Sequence, residues 1–131
     1  MSIGDSASQI GKVRGLGSAR EGGDHWLAER LTSVALVLLG AWFLAALLML
    51  PNFDQQTLRE WLRSPTGAIP MALFAVTSFI HAADGLKQVV DDYVHTESGR
   101  WATNTFILFA AIAGASLCLF ALGKIAFGAA A

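Results

Sequence analysis

Hydrophobic positions along this chain fall in long uninterrupted blocks, not in alternating or one-faced patterns. Arg30 and Asp54 bracket 23 residues without a charge, Arg63 and Asp84 bracket 20 with His81 counted as neutral, and Arg100 and Lys124 bracket 23. At about 1.5 Å of rise per helical residue, each block can cross a hydrocarbon layer of roughly 30 Å. The pattern predicts an all-α membrane protein with three transmembrane helices, at about 27–50, 66–93 and 101–127. Pro51 stops the first. Ser64-Pro65 opens the second, a capping residue followed by proline at the first helical position, and Pro70 is expected to kink its first turns. Ser98-Gly99 is expected to break the chain ahead of the third.

Between the first two spans, Asp54 can cap a short helical turn whose apolar residues Leu58, Trp61 and Leu62 fall at i, i+3, i+4 spacing. Trp26, Trp61 and Trp101 stand at span ends, the level of an interfacial aromatic belt. Ala110, Gly114 and Cys118 form a small-residue stripe suited to close helix packing. Residues 1–24 are Gly- and Ser-rich without an apolar period and read as a flexible tail, leaving 25–131 as the three-helix anchor.

Composition agrees with the blocks. Of 131 residues 54% are hydrophobic and 15% charged, with a mean hydropathy of +0.52, whereas soluble domains are about a quarter charged. The first block is longer than the roughly 7–15 residues of a signal h-region and no clear cleavage site follows it. Cys118 is the single cysteine, so there is neither an intrachain disulfide nor a haem-attachment motif. A net charge of −1 gives no reason to expect nucleic acid. Six of the nine basic residues lie on the side of the N-terminus and the 91–100 connection. The positive-inside rule therefore places that side in the cytoplasm, or in a mitochondrial matrix. Asp5, Glu21 and Asp24 make residues 1–24 unlike a transit peptide, which favours a bacterial inner membrane.

Within the second block His81 is the informative residue, because an ionisable side chain in lipid needs a partner. On an ideal helix Gly85, Gln88 and Asp92 lie within about 40° of it, and Gly85 clears bulk beside the imidazole, as a flat macrocycle would require. Three readings stand: an interhelical hydrogen bond, axial ligation of haem iron through a neutral ring nitrogen, or a proton relay. Ligation would make the protein half of a site. His25 and His95 fall near the span ends and Met71 lies ten residues away on the same helix, so a second ligand must come from another chain.

Asp84 and Lys87 can pair at i, i+3, or could serve a small transporter's proton path with His81. Asp92 and Tyr93, about 18 Å beyond His81, could donate a hydrogen bond and protons to a quinone carbonyl, or be an interfacial tyrosine beside a solvated acid. Arg30 opens the first span on the same side and could meet a propionate or a lipid phosphate.

Taken together, His81-x3-Gly85-x3-Val89-x2-Asp92-Tyr93-Val94, with Arg30-x-Thr32 after His25-Trp26, resembles the small hydrophobic membrane anchor of succinate dehydrogenase, respiratory complex II. The match covers about 15 residues of the second span and about 8 of the first. After Asp-Tyr-Val some members continue with a basic residue and proline, where this chain has His95-Thr96-Glu97. The resemblance implies that His81 ligates haem b iron, with the second histidine on a larger cytochrome b anchor subunit. It further implies that Tyr93 hydrogen-bonds ubiquinone, that Asp92 supports it, and that Arg30 sits near the haem propionates or quinone pocket. FAD and iron–sulfur clusters would belong to a flavoprotein and an iron–sulfur subunit, and the chain alone would catalyse nothing. A haem-free anchor of the fumarate reductase type is the alternative.

Overall fold

The computed structural model describes residues 22–128, except the side chains of Gly22, Asp24 and His25. The expectation of a flexible tail over residues 1–21, and the position of the His25 ring, lie outside the described residues. Four helices follow one another: α1 (Gly22–Leu48), α2 (Gln55–Arg63), α3 (Pro65–Tyr93) and α4 (Glu97–Phe127). No strand occurs among the described residues. Three of the helices are long and apolar enough to cross a membrane, over Trp26–Leu48, Pro65–Tyr93 and Glu97–Phe127.

Local chemistry explains most boundaries. At the end of α1 the Leu50 N–H donates to the Leu47 carbonyl at 3.2 Å, a tighter turn that finishes the helix before Pro51. Asp54 caps α2 by accepting the Thr57 N–H at 2.8 Å. Ser64 closes one helix and opens the next: its hydroxyl donates to the Trp61 carbonyl at 2.7 Å and accepts from the Gly67 N–H at 3.1 Å. The helix α3 runs uninterrupted through Pro70.

Two boundaries differ from expectation. Residues 22–24 already belong to α1, so the helix starts inside the expected tail. The third span begins at Glu97, and Ser98-Gly99 forms its first turn, not a break. The Arg100 N–H donates to the Thr96 carbonyl at 2.9 Å, closing that turn, and Glu97 sits favourably at the positive end of the helix dipole. The break falls instead at residues 94–96.

The central span is α3. Both α1 and α4 pack against it, while the backbones of α1 and α4 do not approach each other. The three spans thus stand in an open row, not a closed bundle. Helix α2 lies across one end of the row, against α3 and α4, and the Arg63 Nε–H donates to the Ile125 carbonyl at 3.4 Å. Trp61 on α2 stacks on Trp42 of α1 at 5.8 Å and lies 6.4 Å from Phe43, which in turn stacks on Phe74 of α3 at 5.7 Å. These rings join all three elements where the row is otherwise open.

Of the expected small-residue stripe, only Gly114 serves the α3–α4 contact. A Cβ there would collide with the Phe79 ring, whereas Ala110 and Cys118 face outward. Burial is slight throughout. Gly67, Ala83 and Val90, all on α3, are buried, and no large side chain among the described residues is fully enclosed. A chain with so little interior depends on its surroundings in the membrane to cover its faces.

Candidate functional site

His81 is half-buried on the side of α3 turned toward α1. Its Nδ1 lies 3.1 Å from the Thr32 hydroxyl across 49 residues of sequence. On α1 the Thr32 hydroxyl also lies 3.0 Å from the Glu29 carbonyl, and Ser33 donates to the same carbonyl at 2.8 Å. Hydroxyls of this kind bond back to the preceding turn of their own helix, which fixes their rotamers. The other ring nitrogen of His81, Nε2, has no hydrogen-bond partner among the described residues. One turn further on, nothing lies within 4 Å of the point where a Cβ of Gly85 would stand.

These features fit a haem group. An imidazole with one nitrogen held and the other unengaged is suited to donate to iron, and the open surface at Gly85 leaves room for a planar ring. No group of three or more His, Cys, Asp or Glu side chains able to hold a metal ion occurs among the described residues.

The other predicted residues are not gathered around His81. Arg30 stacks over Trp26, with its Cζ 5.5 Å from the ring centroid. Two residues on a helix are separated by about 200°, so Arg30 leaves α1 on the opposite side from Thr32. Asp92 and Tyr93 close α3, roughly 18 Å along the axis from His81, and both are exposed, Tyr93 by 79%. His95 is exposed in the short connection to α4. Asp84 and Lys87 form the expected ion pair at 3.3 Å.

An apolar cleft of about 330 Å³ lies along the packed seam of α3 and α4, lined by Val76, Phe79, Ile80, Leu108 and Ile112 with Asp84 and Lys87 at its margin. It does not include His81.

Two residues acquire roles that the sequence did not assign. Thr32 counted only as part of a motif, and its partner depends on how α1 crosses α3. Asp91 accepts from Asn104 Nδ2 at 3.4 Å and lies 4.0 Å from Arg100 Nε, tying the end of α3 to the start of α4. An acid facing a base across a short connection was the available signal.

An open row of three spans, with a half-held histidine in the central helix, defines a small multi-pass membrane protein. Residues 5–119 match the succinate dehydrogenase/fumarate reductase transmembrane subunit family, and the chain belongs to that family. It is similar to the succinate dehydrogenase hydrophobic membrane anchor subunit of Rickettsia bellii, 35% identical over 104 residues that cover 79% of this chain and 81% of the relative. It also resembles the protein of the same description from Paracoccus denitrificans, 31% identical over 119 residues covering 89% and 90%. An anchor of this family works with partner subunits in an oxidoreductase complex.

Proposed function

We propose that this chain and a second membrane-anchor subunit together hold haem b and form the ubiquinone-reduction site of a succinate:ubiquinone oxidoreductase. The complex would sit in a bacterial inner membrane with the N-terminus in the cytoplasm, and would carry FAD and iron–sulfur clusters in its flavoprotein and iron–sulfur subunits. The observation that carries the reading is His81: a half-buried imidazole in the central span with Nδ1 engaged by Thr32, Nε2 unengaged, and open space at Gly85.

When bound, haem b supplies a one-electron carrier within the membrane. This chain's residues bind and orient. His81 would hold the haem iron through Nε2, and the other holding residue would come from the partner anchor. At the end of α3 the Tyr93 phenol has no hydrogen-bond partner among the described residues and is exposed. It is therefore available to donate to a quinone carbonyl, with Asp92 beside it to hold or pass a proton. Arg30, on the same side of the membrane, can pair with a propionate or line the quinone pocket.

A haem-free anchor of the fumarate reductase type would use the same Thr32–His81 hydrogen bond purely for packing, so that contact favours either reading. A proton path through His81, Asp84 and Lys87 has less support. The two charged residues pair with each other, and neither hydrogen-bonds His81 among the described residues. The optical spectrum of the purified complex separates the first two. His81→Ala should abolish the reduced b-type band while the complex still assembles, and an unchanged band sinks the haem reading. For the quinone site, Tyr93→Phe should lower quinone reduction at least about tenfold while leaving succinate oxidation by a soluble dye near normal. A parallel loss of both activities would remove Tyr93 from the site.

A further inference from the structure

We propose that Thr32 is a positioning residue for His81. Its hydroxyl accepts the Nδ1–H, holds the neutral imidazole in the tautomer whose lone pair lies on Nε2, and so prepares that atom to ligate iron. The inference rests on the haem reading of His81.

The hydrogen-bond inventory leads to this arrangement. A threonine hydroxyl has one proton to give and lone pairs to accept with. The Thr32 hydroxyl lies 3.0 Å from the Glu29 carbonyl of its own helix and 3.1 Å from His81 Nδ1. A carbonyl can only accept, so the hydroxyl proton goes to Glu29 and the imidazole donates. The opposite tautomer would place a proton on Nε2, which has no acceptor among the described residues. An N–H left without a partner inside a membrane span is costly. The tautomer that Thr32 selects is also the one that exposes a lone pair for a metal.

The neighbouring geometry makes Thr32 a firm support. Branching at Cβ and the bond back to Glu29 restrict its side chain to one orientation. Ser33 adds a second hydroxyl to the same carbonyl at 2.8 Å, stiffening that turn of α1. The ring plane of His81 therefore takes its angle from a different helix than the one that carries it. A hydroxyl is a weaker acceptor for the Nδ1 proton than a carboxylate would be.

The test uses the whole complex with Thr32→Val, which keeps the shape but loses the hydroxyl, and Thr32→Ser, which keeps the hydroxyl. Haem loss to an excess of apomyoglobin, the low-spin electron paramagnetic resonance signal and the haem midpoint potential are measured on each. Thr32→Val should release haem about tenfold faster, move the low-field resonance as the ring plane turns, and shift the potential to more positive values. Thr32→Ser should restore all three. If Thr32→Val lowers only the thermal stability of the complex and leaves these readouts at wild-type values, Thr32 is a packing residue and the proposal fails. Should Thr32→Val not assemble, Thr32→Cys takes its place. Its weaker acceptor should give intermediate shifts, and wild-type values would overturn the proposal equally. His81→Ala separates the two levels. A retained haem band there refutes ligation and this inference together, whereas a lost band with an unaltered Thr32→Val refutes the inference alone.

Discussion

Adding one methyl group at Gly114 should weaken the seam between α3 and α4. An ideal Cβ at that position would stand 2.6 Å from Cζ and 3.1 Å from Cδ1 of Phe79. Carbon atoms in contact prefer about 3.5–4.0 Å, so the ring or the helix must move by about 1 Å. Overpacking of this kind costs about 1–3 kcal/mol. Phe79 is half-buried and lines the cleft of about 330 Å³ between the two helices, so its ring has somewhere to swing. That relief puts Gly114→Ala near the lower end, about 1 kcal/mol, and Gly114→Leu near about 3 kcal/mol. The effect is read by co-expressing tagged wild-type and variant chains and measuring their ratio in the assembled complex. About 1 kcal/mol corresponds to roughly fivefold under-representation of Gly114→Ala. Phe79→Leu, which shortens the colliding side chain, should recover most of that loss when combined with Gly114→Ala. Equal incorporation of Gly114→Ala, or a penalty that persists with Leu at 79, would refute the packing account. The consequence reaches the site, because Phe79 lies two residues from His81 and the α4 contact helps set the rotation of α3.

Trp61→Ala removes ring pairs with Trp42 and Phe43. At about 0.5–1.5 kcal/mol per pair beyond the buried area, protease cleavage between α1 and α3 should rise clearly, and less so in Trp61→Phe. Asp84→Asn should destabilise the assembled anchor by about 1 kcal/mol or less, since Lys87 can extend toward the interface once its partner at 3.3 Å is gone. Adding Lys87→Met should cancel that loss in a thermal-denaturation series. Asp91→Ala should cost less than about 1 kcal/mol in the same series, because Asp91 and Arg100 side chains are 54% and 44% exposed.

The three spans were legible because charge-free length is a property of the sequence alone, and lipid imposes one backbone solution on such lengths. Asp54 capping α2 and Ser64-Pro65 opening α3 were equally readable, since each satisfies N–H groups within three residues of itself. The start of α4 was misjudged for the same local reason. Ser98-Gly99 looks like a break, yet two weak helix formers do not outweigh a 31-residue helix packed along α3. Likewise the stripe Ala110, Gly114 and Cys118 announces close packing somewhere on α4, but only the position of Phe79 selects Gly114.

His81, Asp92, Tyr93 and Arg30 could be singled out by residue type and by their order along the chain, and so could the demand for a second chain that haem ligation by His81 would bring. Which of them meet could not. Tertiary structure brings Thr32 to His81, turns Arg30 onto Trp26 and away from them, and leaves the α1 and α4 backbones apart. Sequence determines composition, length and local capping, since these act within a few residues. Contacts across 49 residues depend on crossing angles and helix rotation, which arise from the sum of many small packing terms between neighbouring helices.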